Sequence, residues 1–200
     1  MLATRLEPFG DLPNYIPRLG LRMELPKRFD QFTWYGYGPQ GTYMDRKQGA
    51  RRGVYSGSVE EQFEPYIVPG HYGNKTDVRW AALTDDDGAG FLAYVPGLFD
   101  VSAHHIGTDN LERARYLHQL RPGDTTVLCV DGAMSGVGEK FRIPLEPYRV
   151  KSESTEGVII LRPFGPDAPP VEELSRRGMP YTNVEELPLK RGRDRNGGAE

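Results

Sequence analysis

Two hundred residues are enough for one domain, or for one domain and a tail. The 24 glycines and 17 prolines among them exclude a chain made mostly of long helix, because glycine admits positive φ and proline withdraws a backbone donor. A formal charge of −3 and a pI near 5.9 leave no electrostatic case for nucleic acid or an anionic membrane surface, and the single cysteine, Cys129, excludes an internal disulfide or a multi-cysteine metal site.

Residues 1–16 carry several breakers and little periodicity, and read as an irregular lead-in. From Pro17 to Leu25 the pattern alternates: Leu19, Leu21, Met23 and Leu25 share one face, and Arg18, Gly20, Arg22 and Glu24 the other, the period of a half-buried strand. Phe29 to Tyr37 is rich in aromatics, which strands accommodate well. Residues 38–75 read as mostly loop, with a short strand expected at Tyr66-Ile67-Val68. Strands are then expected at Asp77–Thr84, Gly90–Val95 and Leu98–His105, with turns at Asp85–Gly88 and Pro96-Gly97; an Asp-Gly pair between apolar runs is a hairpin signal. Thr108-Asp109-Asn110 can cap one or two helical turns. Further strands are expected at Thr125–Val130, Arg142–Val150 and Gly157–Pro163, with Cys129 facing a strand core as a small apolar residue. Beyond Pro163 a Pro-rich linker, a short helix at Val171–Arg177 and a disordered end at 190–200 complete the chain. The predicted class is all-β: an antiparallel sandwich over residues 17–163, with an irregular tail over 164–200.

No apolar run approaches the roughly 20 residues that cross a bilayer. The first eight residues lack the apolar core of a secretory signal, so the expected location is cytoplasmic. With that location, the glycosylation sequon Asn74-Lys75-Thr76 is expected to be idle. Asp85-Asp86-Asp87 lacks the ligand spacing of a calcium loop and reads as a hairpin tip. Gly136-Val137-Gly138 is only a fragment of a phosphate-binding pattern, without the helix or final glycine that pattern needs.

One set of blocks is more specific. In order, these are Pro17-Arg18-Leu19-Gly20-Leu21, Phe32–Gln40, Tyr43-Met44-Asp45-Arg46-Lys47, Glu64–Pro69 and Gly73–Trp80. Phe99–Ala103, His118-Gln119-Leu120, Asp131-Gly132 and Gly136–Gly138 follow. Together they resemble the small-chain domain that closes glycoside hydrolase family 2 β-galactosidases, over roughly Pro17 to Val150. The resemblance implies a β-supersandwich of the galactose mutarotase-like type, here expected to be incomplete at its N-terminal side. It also implies that chemistry takes place elsewhere, on two glutamates of a (β/α)₈ barrel. A barrel of that kind needs about 250 residues, so this chain is expected to supply no catalytic residue and to be inactive alone. The implied partners are a catalytic β-galactosidase barrel domain or large subunit, and galactosides through a shared pocket. No cofactor and no metal are expected.

In the family, a loop after the Asp-Gly pair carries a tryptophan that stacks on sugar. The corresponding stretch here, Asp131–Phe141, is shorter and has none; Glu139-Lys140 is what remains of an acidic run, and Phe141 is the nearest aromatic, with an ordinary core role as its competing reading. Gly41-Thr42 and Gly70-His71-Tyr72 also depart from the family pattern, which puts His71 on a loop where it can reach substrate. The carbohydrate-binding candidates are therefore His71, Glu139 and Phe141. Asp45 with Arg46 and Asp77 with Arg79 set a carboxylate beside a guanidinium, and are read as loop-pinning groups or, in the alternative, sugar contacts. Trp34 and Trp80 are expected in the core. His104 and His105 point to opposite faces of a strand and cannot share a metal, and His118 is expected to make a buried hydrogen bond. Two other functions stay open: a free-standing mutarotase-like epimerase using His71, His105 or His118 with an acid, and a remnant that only binds carbohydrate.

Overall fold

The computed structural model describes residues 1–138 and 143–177. In chain order its strands are β1 (Leu2–Leu6), β2 (Arg18–Pro26), β3 (Gln31–Gly38), β4 (Arg51–Ser58) and β5 (Lys75–Val78). They continue with β6 (Trp80–Thr84), β7 (Gly90–Tyr94), β8 (Phe99–Ile106), β9 (Pro122–Met134) and β10 (Thr155–Phe164). Two short helices join them, α1 (Thr108–Arg113) and α2 (Val171–Arg176). The strands build a six-stranded sheet of order β1-β10-β7-β6-β3-β4 and a four-stranded sheet of order β2-β9-β8-β5. Every pairing is antiparallel.

Alternation along the strands places one apolar face of each sheet against the other. Phe32, Trp34, Leu83, Ala93 and Ile159 of the larger sheet pack on Val78, Val101, Ala103, Leu128 and Val130 of the smaller one. Each fully buried large side chain there contributes on the order of 1.5–3 kcal/mol. The architecture is a β-sandwich, as the spacing of strands and turns predicts. Trp34 and Trp80 are both buried. Cys129 is buried as well, but Leu128 and Val130 on either side fill the inter-sheet core, so alternation turns Cys129 to the outer face of the smaller sheet.

Several local expectations are corrected. The lead-in at 1–16 contains β1, whose five residues pair with β10 although all are exposed. The loop-dominated stretch 38–75 contains β4, while 66–68 forms no strand. β4 lies at a sheet edge and carries only Val54 and Tyr55 as large apolar residues, too few to show a period. The expected strand Asp77–Thr84 begins earlier and divides: β5 belongs to the smaller sheet and β6 to the larger. The change of sheet occurs at Arg79, after Val78 has paired with Phe99; Asp77, in the register shift within β5, has a φ of 52°, a left-handed conformation that aspartate tolerates better than most residues.

Among the described residues of 142–150 there is no strand. Pro144 and Pro147 interrupt it, Ile143 and Leu145 are exposed, and the chain makes a 3-10 turn at Glu146–Tyr148 before Val150 bridges to Ile16. The cap of α1 is Gly107, not the Thr108–Asn110 group. His118 is exposed in a 3-10 turn, stacked on Tyr116, so its ring makes no buried hydrogen bond. The linker after Pro163 is docked: α2 seats Leu174 on Trp80, Ala82 and Leu92, on the outer face of the larger sheet. The expected disorder at 190–200 lies outside the described residues.

Candidate functional site

The outer face of the four-stranded sheet is polar and buried. Because Leu19, Val101, Ala103 and Val130 turn inward, their neighbours Arg18, Ser102, His104 and Asp131 turn outward, beneath the two connections that flank β4. Arg18 lies at the centre. Its Nη2 donates to the Asp131 carboxylate and lies 3.5 Å from Ser102 Oγ, while Nη1 stands 3.1 and 3.2 Å from the two ring nitrogens of His71. A neutral imidazole has one acceptor nitrogen, so only one of the two accepts from Arg18 and the other carries the ring proton. Burial, then the charge of Arg18, then His104 hold the His71 pKa well below its ordinary value. His71 is therefore a neutral acceptor at physiological pH.

His104 lies under it, edge-on to His71 at 5.2 Å and to Tyr72 at 4.5 Å between ring centroids. Neither of its ring nitrogens has a hydrogen-bond partner among the described residues, and burial, Arg18, His105 and Lys75 lower its pKa to about 3. Alongside, Asn74 donates to Thr42 O at 2.9 Å and to Asp100 Oδ1 at 2.7 Å. Burial pushes Asp100 up to about 6 against the pull of the Asn74 and Thr76 hydrogen bonds, with Asp131 and Asp77 adding to the rise.

The loop after β9 is held from across the molecule. Asp45 accepts from the backbone N–H groups of Val137 at 3.1 Å and Gly138 at 2.8 Å. The approach needs glycine at 136, since a Cβ there would sit 2.4 Å from Asp45 Oδ2, and glycine at 138, whose φ is +69°. Those two amides, which the phosphate-loop fragment would have offered to an anion, are thus already bonded. Arg46, the next residue, donates to Tyr66 OH at 2.6 Å and lies over the Tyr43 ring at 4.8 Å. Tyr66 in turn donates to Glu64, whose other oxygen accepts from Gly41 N at 2.8 Å. Tyr43 OH donates to His71 O at 3.2 Å.

A cavity of about 440 Å³ opens among Arg18, Tyr43, Arg46, Tyr66, His71 and Gly136. Its walls offer guanidinium donors, phenolic hydroxyls, a neutral imidazole and aromatic faces. That combination suits a ligand with hydroxyl groups around a small apolar patch. None of the described residues lining the cavity is an aspartate or a glutamate.

The residues marked out from sequence thus divide. His71, Asp45 and Arg46 meet at this cavity or its rim, although Asp45 bonds the 137–138 loop and not Arg46. Asp77 lies apart, 2.7 Å from Lys47 Nζ and 3.8 Å from Arg52. Arg79 is on the outer face of the other sheet and forms no ion pair with a described residue. Glu139 and Phe141 lie outside the described residues. Sequence reading missed Arg18, Tyr43, Tyr66 and Asp131, each of which falls inside one of the ordered blocks. The blocks are scattered over more than a hundred positions, and the fold gathers four of them around one hollow.

Residues 2–160 match the β-galactosidase small chain. The chain belongs to the β-galactosidase small-chain family. It is 39% identical over 137 residues to a β-galactosidase of Priestia megaterium (strain DSM 319 / IMG 1521), an alignment covering 68% of this chain and 13% of that protein. It is 35% identical over 128 residues to the β-galactosidase of Streptococcus thermophilus, covering 64% and 12%. With β-galactosidase BgaC of Bifidobacterium adolescentis it shares 33% identity over 156 residues, 70% of this chain and 14% of the relative. The aligned small-chain domain therefore spans only 12–14% of the length of these relatives. The family match ends at Ile160, so the docked segment carrying α2 lies beyond it.

Proposed function

We propose that this chain is an accessory domain or subunit of a glycoside hydrolase family 2 β-galactosidase, working in the cytoplasm. It packs on a separate catalytic barrel, and the cavity around Arg18, His71 and Tyr66 forms part of the rim of the galactoside pocket. Acid/base and nucleophilic work fall to the partner's carboxylates. The observation that carries this reading is the grip of Asp45 on Val137 and Gly138. It fixes the loop that in the family approaches the sugar, and it fixes it beside the cavity. The His71 ring N–H, Arg18 and Arg46 donate to ligand hydroxyls, and Tyr66 presents an aromatic face to the apolar side of a pyranose.

The epimerase alternative has weaker support. His105 has Asp30 2.8 Å from Nε2, and Thr125 O and Thr126 Oγ1 each 3.3 Å from Nδ1, so neither ring nitrogen is free to shuttle a proton. His118 faces solvent, and among the described residues no carboxylate lines the cavity beside His71.

The test is reconstitution. A β-galactosidase truncated to remove its own small-chain region is assayed on a chromogenic galactoside, with and without this chain. Recovery of hydrolysis in the mixture, and none from this chain alone, is the expected result. Hydrolysis by this chain alone, or a mixture no more active than the truncated enzyme, overturns the reading.

A further inference from the structure

On the opposite side of the sandwich a second hollow, of about 720 Å³, lies between α2 and the outer face of the six-stranded sheet. Its floor is aromatic: Tyr35 and Trp80 sit 6.4 Å apart between ring centroids, and Tyr94 packs against the same cluster. Trp80 itself is 6% exposed, which leaves the half-buried Tyr35 and Tyr94 as the accessible faces. Around the rim stand Arg79 from the sheet and Glu172, Ser175 and Arg176 from α2.

The polar groups here are uncommitted. The guanidiniums of Arg79 and Arg176, the carboxylate of Glu172 and the hydroxyls of Tyr35 and Tyr94 make no hydrogen bond or ion pair with any described side chain or backbone group. A hollow with an aromatic floor and both donors and acceptors at its edge meets the two requirements of a pyranose, which has an apolar C–H face and hydroxyls that each donate and accept. An anionic ligand would be served by the two arginines but opposed by Glu172 on the same helix. The balance favours a neutral saccharide.

We propose that the hollow between α2 and Tyr35, Trp80 and Tyr94 is a second saccharide-binding cleft, taking neutral galactose-containing oligosaccharides apart from the cavity at His71. One wall is α2, which lies past the end of the family match, so the cleft is a property of this chain's own C-terminal segment. It goes beyond the accessory reading, on which only the choice of galactose as the sugar rests, and the two hollows open on opposite outer faces of the sandwich. A cleft of this kind retains a polymeric or oligomeric substrate near the enzyme without taking part in cleavage.

Titration calorimetry of the full chain with β-1,4-galactotetraose, paired with amide chemical-shift mapping, tests this. The expected result is saturable binding, with shifts at Arg79, Trp80, Tyr94 and residues 172–176. In the Arg79→Ala/Arg176→Ala double variant affinity falls by about tenfold or more through loss of two charged donors. Both arginines are exposed, so the fold survives their removal. Absence of binding, an affinity indifferent to the double substitution, or tighter binding of tetragalacturonate than of galactotetraose each overturns the proposal. The reconstituted hydrolysis described above does not require Arg79 or Arg176, so the two readings fail separately.

Discussion

Replacing His104 with phenylalanine isolates the cost of keeping a neutral imidazole inside a buried layer. The ring titrates near 6.5 in an unfolded chain and near 3 in the folded one. As pH falls below about 6.5 the unfolded chain takes up a proton that the folded chain refuses, so stability is lost on acidification. At ~1.4 kcal/mol per pH unit the loss reaches about 3 kcal/mol by pH 4 and tends to about 5 kcal/mol below pH 3. Phenylalanine removes this term and also the two ring nitrogens that lack partners, an omission that costs about 1–3 kcal/mol per buried group. Urea unfolding of both proteins at pH 7.5 and pH 4 reads the difference. Asp100, raised to about 6, works in the opposite direction but is present in both proteins and cancels. The variant is expected to lose about 3 kcal/mol less than the parent between the two pH values. Equal losses in the two proteins would refute the account of His104 as a buried, neutral and unpaired ring.

Three further outcomes follow from the same geometry. Asp100→Asn is expected to gain up to about 3 kcal/mol at pH 7.5 and close to nothing at pH 4, because a carboxyl held near 6 destabilises the fold only once pH rises through the range from about 4 to 6; urea unfolding at both pH values checks it. Asp45→Asn weakens the two accepted backbone bonds, costing about 1–2 kcal/mol, and speeds hydrogen exchange at Val137 and Gly138 more than elsewhere. Leu174→Ala leaves α2 poorly anchored at a cost of about 2 kcal/mol or more, and shifts tryptophan emission to the red because it uncovers Trp80 while Trp34 stays between the sheets.

Much of the fold is legible in the sequence where one face of a strand is buried and the other is not. β2 shows this most clearly, with Leu19, Leu21, Met23 and Leu25 half-buried and Gly20, Arg22, Glu24 and Pro26 exposed. The turn at Asp85–Gly88 is equally local, closed by Gly88 N to Asp85 O at 3.0 Å. The elements that escaped are edge strands, β1 and β4, where neither face is fully covered and no period is required. The apolar residues between 142 and 150 make that stretch read as a strand, but Pro144 and Pro147 remove donors that pairing would need. At the site, His71, Asp45 and Arg46 were visible as loop residues of reactive type. Their partners were not: Asp45 meets Gly138 across 93 positions and Arg18 meets Asp131 across 113. Nothing in local spacing encodes contacts of that range. Only the ordered family blocks hinted that these segments belong together.

The crossing at Arg79, between β5 and β6, constrains the whole sandwich. A stretch of six residues, Lys75 to Trp80, leaves one layer and enters the other, so the two layers are stitched by covalent chain at mid-body as well as at their ends. Sliding of one layer over the other, already opposed by the interdigitated side chains of the core, is further limited by that stitch. Lys75 at one end lies against Pro39 and Trp34, and Trp80 at the other lies under α2. The two outer faces are therefore held at a fixed offset by this tether together with the short crossings at 27–30 and 95–98.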